Sequence, residues 1–280
     1  MRKNIHFLHL SDTHWAFEPI GEGIDSKNRY EALRNWIRNC NAPVDFIVHT
    51  GDLVHRGQIE SDTGLSTRKA WELTQTLGLP LFPVTGNHDN RPALADCFWK
   101  NISSFPNFNT QPLLQNSPAS SSKIAYYFSI HDEDFVVLDA RDTQQIDPQG
   151  HLDPQQLDSL ISLLQHGNRK LTLFMHYPPV VMDCDWIDRT MTIQNGMELH
   201  RNLAPFRDRI RAVFFGHIHR PTSTFVDGIL YVSCGSSAMH FPNLPNDSSV
   251  EFQRDPVAFA NYVTISENAV WIKPQWVSTP

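Results

Sequence analysis

The sequence predicts an α/β fold built on a parallel or mixed sheet that is covered on both faces. Two observations predict it. Apolar runs recur at residues 5–10, 46–48, 81–84, 171–175 and 212–215, and they are near-continuous rather than alternating, as in strands buried on both sides. Each run leads directly into metal-binding side chains: Asp12-Thr13-His14, Gly51-Asp52, Gly86-Asn87-His88-Asp89, His176 in Met-His-Tyr-Pro-Pro, and Gly216-His217-Ile218-His219. Polar groups gathered at the carboxyl ends of strands mark the ligand crevice of an open α/β sheet. The pattern reads as one site for two metals, assembled from the whole fold.

The elements follow in order. After the first strand, a loop rich in Gly and Pro (17–27) leads to Tyr30, Leu33, Trp36 and Ile37 at helical spacing. The second strand ends at Gly51-Asp52, and Ser66-Thr67 opens a helix over 66–78 that Gly78 closes, with Pro80 beyond. The third strand delivers Gly86 to Asp89, and Pro92 opens a short helix. Residues 103–123, rich in Ser, Pro and Asn, read as a surface excursion. Strands at 125–130 and 135–138 flank the acidic turn His131-Asp132-Glu133-Asp134 as a hairpin. Asp153-Pro154 starts a helix striped by Leu157, Leu160, Ile161 and Leu164, which ends near Gly167-Asn168. A long connection over 177–197 precedes a helix through Leu199, Leu203 and Phe206. Strands at 229–233, 260–265 and 270–273 complete the chain, the last two joined by Ser-Glu-Asn in a closing hairpin. No repeat or linker divides the ligands, so residues 1–280 read as a single domain.

Composition narrows the class. With 280 residues, 40% of them hydrophobic, and seven Trp, the chain has ample material for a core and is not of the disordered type. A net charge of −7 and a pI of about 6.0 disfavour a long nucleic acid as partner. Cys40, Cys97, Cys184 and Cys234 lie far apart with no Cys-x-x-Cys pair, which suits reduced thiols in the cytoplasm. The apolar run after Arg2-Lys3 stops at Ser11-Asp12, short of a signal-peptide core of ~7–15 residues, and no stretch nears the ~18 that span a bilayer. A soluble cytoplasmic protein with no membrane partner is expected.

In a strand, residues i and i+2 face the same side, so Asp12 and His14 can converge on one ion, as can His217 and His219. Glycine precedes Asp52, Asn87 and His217, where a missing Cβ permits a sharp turn and a close metal approach. Taken singly, each block has an ordinary explanation. Helix capping or an Asx turn accounts for Asn87-His88-Asp89, pairing with Asp89 accounts for His88, and a surface salt bridge accounts for Arg91. Their joint occurrence in order is what points to metals.

That ordered set, from Asp12 to His219, resembles the signature of the calcineurin-like metallophosphoesterases. Asn-His-Asp followed by Asn90-Arg91, His176-x-Pro-Pro and Gly-His-Ile-His are most similar to the bacterial class III cyclic-nucleotide phosphodiesterases and related glycerophosphodiesterases. The resemblance implies a four-layer αββα sandwich of two mixed sheets flanked by helices. It also implies a first metal on Asp12, His14, Asp52 and His219, and a second on Asp52, Asn87, His176 and His217. Asp52 would bridge, since a carboxylate has two oxygens and a charge to share. The oxygen and nitrogen donors suit Fe, Mn or Zn. Two divalent ions less two carboxylates leave a core of about +2, matched to a phosphodiester and a hydroxide.

The implied activity is hydrolysis of a small phosphodiester, such as the 3′,5′-cyclic nucleotide cAMP, by in-line attack of a hydroxide held on the metals. Glycerophosphodiesters are a close alternative; a phosphomonoesterase, a nuclease or a non-catalytic scaffold on this fold are the others. His88 is the candidate catalytic residue, next to the metals and able to protonate the leaving alkoxide. Asp89 is expected to orient its neighbours, and Arg91 and Asn87 are the candidate substrate contacts. The chain departs from the branch at Tyr177, where relatives often carry His, and at Asn90, where many carry Asp. Both bear on substrate choice. Among the other histidines, His6, His9 and His49 are expected in or beside the core, and His131, His151, His166 and His200 at the surface. His55 and His240 are placed near substrate or left open. Relatives often dimerise, so a homodimer is a further expectation.

Overall fold

The computed structural model describes residues 4–21, 23–61, 63–114, 123–142, 148–248 and 257–278. Parts of the stretches 17–27, 103–123 and 235–258 lie outside the described residues. In chain order, β1 (Ile5–Leu10), α1 (Ser26–Arg38), β2 (Phe46–His49), α2 (Leu65–Gln75), β3 (Leu81–Pro83) and α3 (Arg91–Asn101) form the first half. β4 (Asn109–Pro112), β5 (Tyr126–Ile130), β6 (Glu133–Val137), α4 (Pro154–His166), β7 (Lys170–Phe174), α5 (Asp185–Thr190) and α6 (Gly196–Leu203) follow. β8 (Ile210–Phe215), β9 (Ser223–Val226), β10 (Ile229–Ser233), β11 (Val257–Ile265) and β12 (Val270–Ser278) complete it. One sheet has the order β12-β11-β1-β2-β3, with β1, β2 and β3 parallel. The other has the order β4-β5-β6-β7-β8-β10-β9, with a parallel centre from β6 to β10.

The two sheets meet through phenylalanine. Phe7 of β1 stacks on Phe46 of β2 with centroids 5.0 Å apart, and stands edge-on to Phe174 of β7 and Phe214 of β8 at 5.7 and 5.6 Å. Phe82 of β3 stacks on Phe128 of β5. Such pairs add about 0.5–1.5 kcal/mol each beyond the burial of their area. Strand alternation then divides the molecule into layers. In β6, Phe135 and Val137 face this inter-sheet core, while Val136 and the following Leu138 face α4 and α6. β8 divides the same way, with Ala212 and Phe214 inward and Val213 and Phe215 outward. Tyr30, Leu33 and Ile37 of α1 and Leu94 and Phe98 of α3 join the first core from outside the first sheet. The αββα sandwich expected from the resemblance is the observed fold.

Several elements differ from expectation for local reasons. Residues 109–112 form β4 inside the expected surface excursion. It is a polar edge strand paired only to β5, so it carries no apolar pattern. β9 is another edge strand. Its hairpin to β10 turns through Asp227 and Gly228, with φ of 48° and 86°, an Asp-Gly signal that the sequence displayed. The short helix at Pro92 is an 11-residue helix whose N-cap Asn90 accepts a hydrogen bond from the Ala93 amide at 3.0 Å. Among the described residues, no helix is long and apolar enough to cross a membrane.

Candidate dinuclear metal centre

Five parallel strands end at the site: β1, β2 and β3 from one sheet, β7 and β8 from the other. β1 stops at Leu10 and β8 at Phe215, so strand alternation does not aim the paired ligands as expected. Instead, Asp12, His14, Asp52, His217 and His219 all have left-handed backbones, with φ of 51°, 43°, 55°, 70° and 51°. Each costs about 1–3 kcal/mol and persists only where neighbours hold it. Here the Asp12 amide donates to the Gly51 carbonyl and the His14 amide to the Asp52 carbonyl, both at 3.0 Å. The sheets are tied across the site when the His217 amide donates to Asp12 Oδ2 at 2.9 Å. The His88 amide donates to Asp52 Oδ1 at the same distance.

The glycines make room for carboxylates and imidazoles. A Cβ on Gly86 would collide with the Asp52 carboxylate and amide. One on Gly216 would strike Ser11 Oγ and stand 2.7 Å from Asp12 Oδ2. Gly51 alone of the three needs a positive φ, 99°, and a Cβ there would strike the His176 ring. Gly86→Ala is therefore expected to displace the Asp52 carboxylate and lower both bound metal and turnover, by about 10²-fold or more in rate, as expected for a ~1 Å misplacement. Metal analysis of the purified variant checks this; a full metal complement with normal turnover would contradict it.

Two groups of ligand atoms emerge, each with its atoms within 4.8 Å of one another: Asp12, His14, Asp52 and His219, and Asp52, His176 and His217. Asp52 belongs to both. Asn87 joins the second group, its Oδ1 lying 3.1 Å from His176 Nε2. Backbone carbonyls select the imidazole tautomers, as assigned from the hydrogen-bond network. His176 Nδ1–H donates to Thr50 O at 2.7 Å, and His219 Nδ1–H to Met239 O at 3.1 Å, so each turns a bare Nε2 inward. His217 is reversed, because its Nε2–H donates to Pro148 O at 2.7 Å. The bare His219 Nε2 sits 3.1 Å from His14 Nε2 and 3.4 Å from Asp12 Oδ1. Asp12 Oδ1 is buried and accepts no hydrogen bond among the described residues. Imidazole nitrogens and carboxylate oxygens thus face one another in a buried centre, an arrangement that cations can satisfy.

The electrostatics agree. Burial holds His14 and His217 well below the ordinary imidazole range and lowers His176 as well, keeping all three in the neutral form that ligates. Burial, with Asp12 and Asp89 nearby, raises Asp52 far above the usual carboxylate range. For Asp12, burial pushes upward but the neighbouring His219 outweighs it, and its pKa falls. Without cations, the two carboxylates cannot both carry charge comfortably; two cations would remove the conflict.

His88 belongs to neither group. Its Nδ1–H donates to the His55 carbonyl at 2.5 Å, and its ring stands 4.8 Å from that of His14. Burial lowers it to about 4. Asp89 orients the second strand's loop, accepting from the amides of Asp52 at 3.0 Å, Gly86 at 2.9 Å and Val54 at 3.3 Å. Arg91 is not an open cation: it is buried, ion-paired to Asp139 at 3.2 Å, and donates to the Arg141 carbonyl. Its salt bridge is interior rather than at the surface. Arg141, overlooked in the sequence, donates to the Asp89 carbonyl. Asp139-Ala140-Arg141 follows β6 as the candidate metal residues follow their strands, the same signal in the sequence. His55 was left open in the sequence, yet with His14 and His88 it forms a third group of candidate ligand atoms. His200, expected at the surface, is buried on the inner face of α6 between Tyr231 and Asp227.

Comparison with known proteins gives this geometry a family. The sequence model of the calcineurin-like phosphoesterases matches residues 5–221. A probable cyclic nucleotide phosphodiesterase of Vesicomyosocius okutanii is 24% identical over 275 residues, 98% of this chain and 100% of its own length. The 3′,5′-cyclic adenosine monophosphate phosphodiesterase CpdA of Haemophilus influenzae is 26% identical over 240 residues, 85% of this chain and 78% of its own. A solved dimetal phosphatase from Danio rerio shares the fold with a TM-score of 0.61 over 99% of each chain, at 16% identity. The chain belongs to the calcineurin-like phosphoesterase family and is a metal-dependent hydrolase of phosphoric esters.

Proposed function

We propose that the protein hydrolyses a small phosphodiester, a 3′,5′-cyclic nucleotide such as cAMP, at two metal ions. Asp12, His14, Asp52 and His219 hold one, and Asp52, Asn87, His176 and His217 the other. The observation that carries this is the convergence of imidazole nitrogens and carboxylate oxygens around Asp52, which belongs to both groups. Bound cations would polarise the phosphoryl oxygens and bring the pKa of a coordinated water towards ~7. The donors include no sulfur, which suits Fe, Mn or Zn. The cyclic-nucleotide assignment is supported by the similarity to relatives named as cyclic nucleotide phosphodiesterases.

His88 is the proton donor in this scheme. With Nδ1 anchored to the His55 carbonyl, Nε2 makes no hydrogen bond among the described residues. Burial keeps it neutral alone, and an anionic phosphodiester alongside favours its protonated form. The proton then passes to the leaving 3′ oxygen. Asp89 keeps the Asp52 amide in place, and the Arg91–Asp139 pair braces the start of α3. Ligands from both sheets support residues 1–280 as one domain. Four free cysteines support a reducing compartment, the cytoplasm.

A substrate panel tests the proposal. The rate on cAMP is expected to exceed that on p-nitrophenyl phosphate, with about two equivalents of metal per chain. Chelation should lower the rate by about 10³-fold or more, and Mn²⁺ should restore it. A monoester rate far above every diester rate would overturn the diesterase assignment. A glycerophosphodiester rate above that on cAMP would overturn the nucleotide.

A further inference from the structure

Three of the four site imidazoles are oriented by backbone carbonyls: His176 by Thr50, His219 by Met239 and His217 by Pro148. His14 is oriented differently. Its Nε2 faces Asp52 Oδ2 at 3.5 Å, and its Nδ1 lies 3.4 Å from Nδ1 of His55. A neutral His14 whose Nε2 carries a lone pair must bear its proton on Nδ1, so His55 Nδ1 is the acceptor. His55 is itself pinned, its amide donating to the Trp15 carbonyl at 3.2 Å just beyond His14. Its own carbonyl takes the His88 Nδ1–H, and its ring stacks on His88 at 18° with centroids 5.5 Å apart.

We infer that His55 is the positioning residue of this centre: its Nδ1 holds His14 in the tautomer that ligates the first metal, while its carbonyl and ring aim His88. This rests on the two-metal reading above. The trio His14, His55 and His88 could instead hold an ion of its own, since their ligand atoms lie within 4.8 Å. That would require His14 to bind metals through both nitrogens and give up its last ring proton. A neutral hydrogen bond makes no such demand.

The test is titration of metal-stripped full-length protein with Mn²⁺, comparing wild type with His55→Leu, His55→Gln and His55→Asn. An Asn side-chain oxygen reaches the place of Nδ1; a Gln oxygen reaches the place of Nε2. Wild type is expected to bind two equivalents. Leu and Gln should weaken one of them by about 10–100-fold, and Asn should recover most of the loss. Thermal unfolding of the stripped proteins controls for folding; should Leu fail to fold, the Asn–Gln difference still decides. Unchanged Mn²⁺ affinity in Leu and Gln, or Asn no better than Gln, overturns His55's role while leaving the two-metal reading intact. A third equivalent in wild type, lost in all the variants, overturns it in favour of a separate ion. Fewer than two equivalents in wild type would remove both the two-metal reading and the inference built on it.

Discussion

Replacing Asp52 with Asn is expected to lower phosphodiester turnover by about 10³-fold or more, roughly 4 kcal/mol of transition-state stabilisation, and to leave fewer than two metals bound. Asp52 is the one residue in both ligand groups. Its Oδ2 lies 3.5 Å from His14 Nε2 and 3.6 Å from His176 Nε2, and its Oδ1 accepts the His88 amide. An amide keeps the shape but loses the charge that two cations share. In metal-free protein the stability effect has the opposite sign. Burial raises the Asp52 pKa in the folded state above its ordinary value of 3.8. The folded state then binds the proton more tightly than the unfolded one, so stability falls as pH rises from about that value through the raised folded pKa. Asn carries no such burden, and its NH₂ can donate to the bare nitrogens of His14 and His176. At neutral pH, metal-stripped Asp52→Asn should melt higher than metal-stripped wild type, and with saturating Mn²⁺ the order should reverse. Calorimetry with and without metal checks both signs; a stripped variant that melts lower would contradict the account of the carboxylate.

His88→Gln is the second large effect. With an alkoxide leaving group, as in cAMP, kcat should drop by about 10²–10⁴-fold, the span of general acid catalysis. With bis(p-nitrophenyl) phosphate, whose leaving group departs without a proton, the drop should be about 10-fold or less. Both metals should remain, because His88 lies in neither two-metal group and its amide bond to Asp52 survives the substitution. Comparing the two substrates separates proton donation from phosphate binding. Equal losses on both would assign His88 to charge stabilisation and exclude the acid.

The ligand blocks were legible because each follows a strand that must be buried. An apolar run such as 212–215 sets where the chain enters the core, and the polar residues just beyond it have one place to go, the crevice at the strand ends. Alternation in β6 and β8 likewise follows from the two-residue period of a strand. Edge strands are harder to see. β4 satisfies one side of its backbone and buries little, so Asn109-Thr110-Gln111-Pro112 looks like a loop. Arg91 looked like a phosphate contact because its partner, Asp139, lies 48 residues away. His200 looked exposed because a helix face shows its direction only once packed.

Residue order alone determined the αββα class, the family and the candidate metal residues, since each depends on short patterns along one segment. Packing settled how Asp12, His14, Asp52, His217 and His219 point, which backbone carbonyl each of His176, His217 and His219 meets, and that His55 touches both His14 and His88. Those features depend on backbone carbonyls and neighbours from other strands. They come within reach only after two sheets have closed on each other, because a hydrogen bond is specified by distance and direction rather than by separation along the chain.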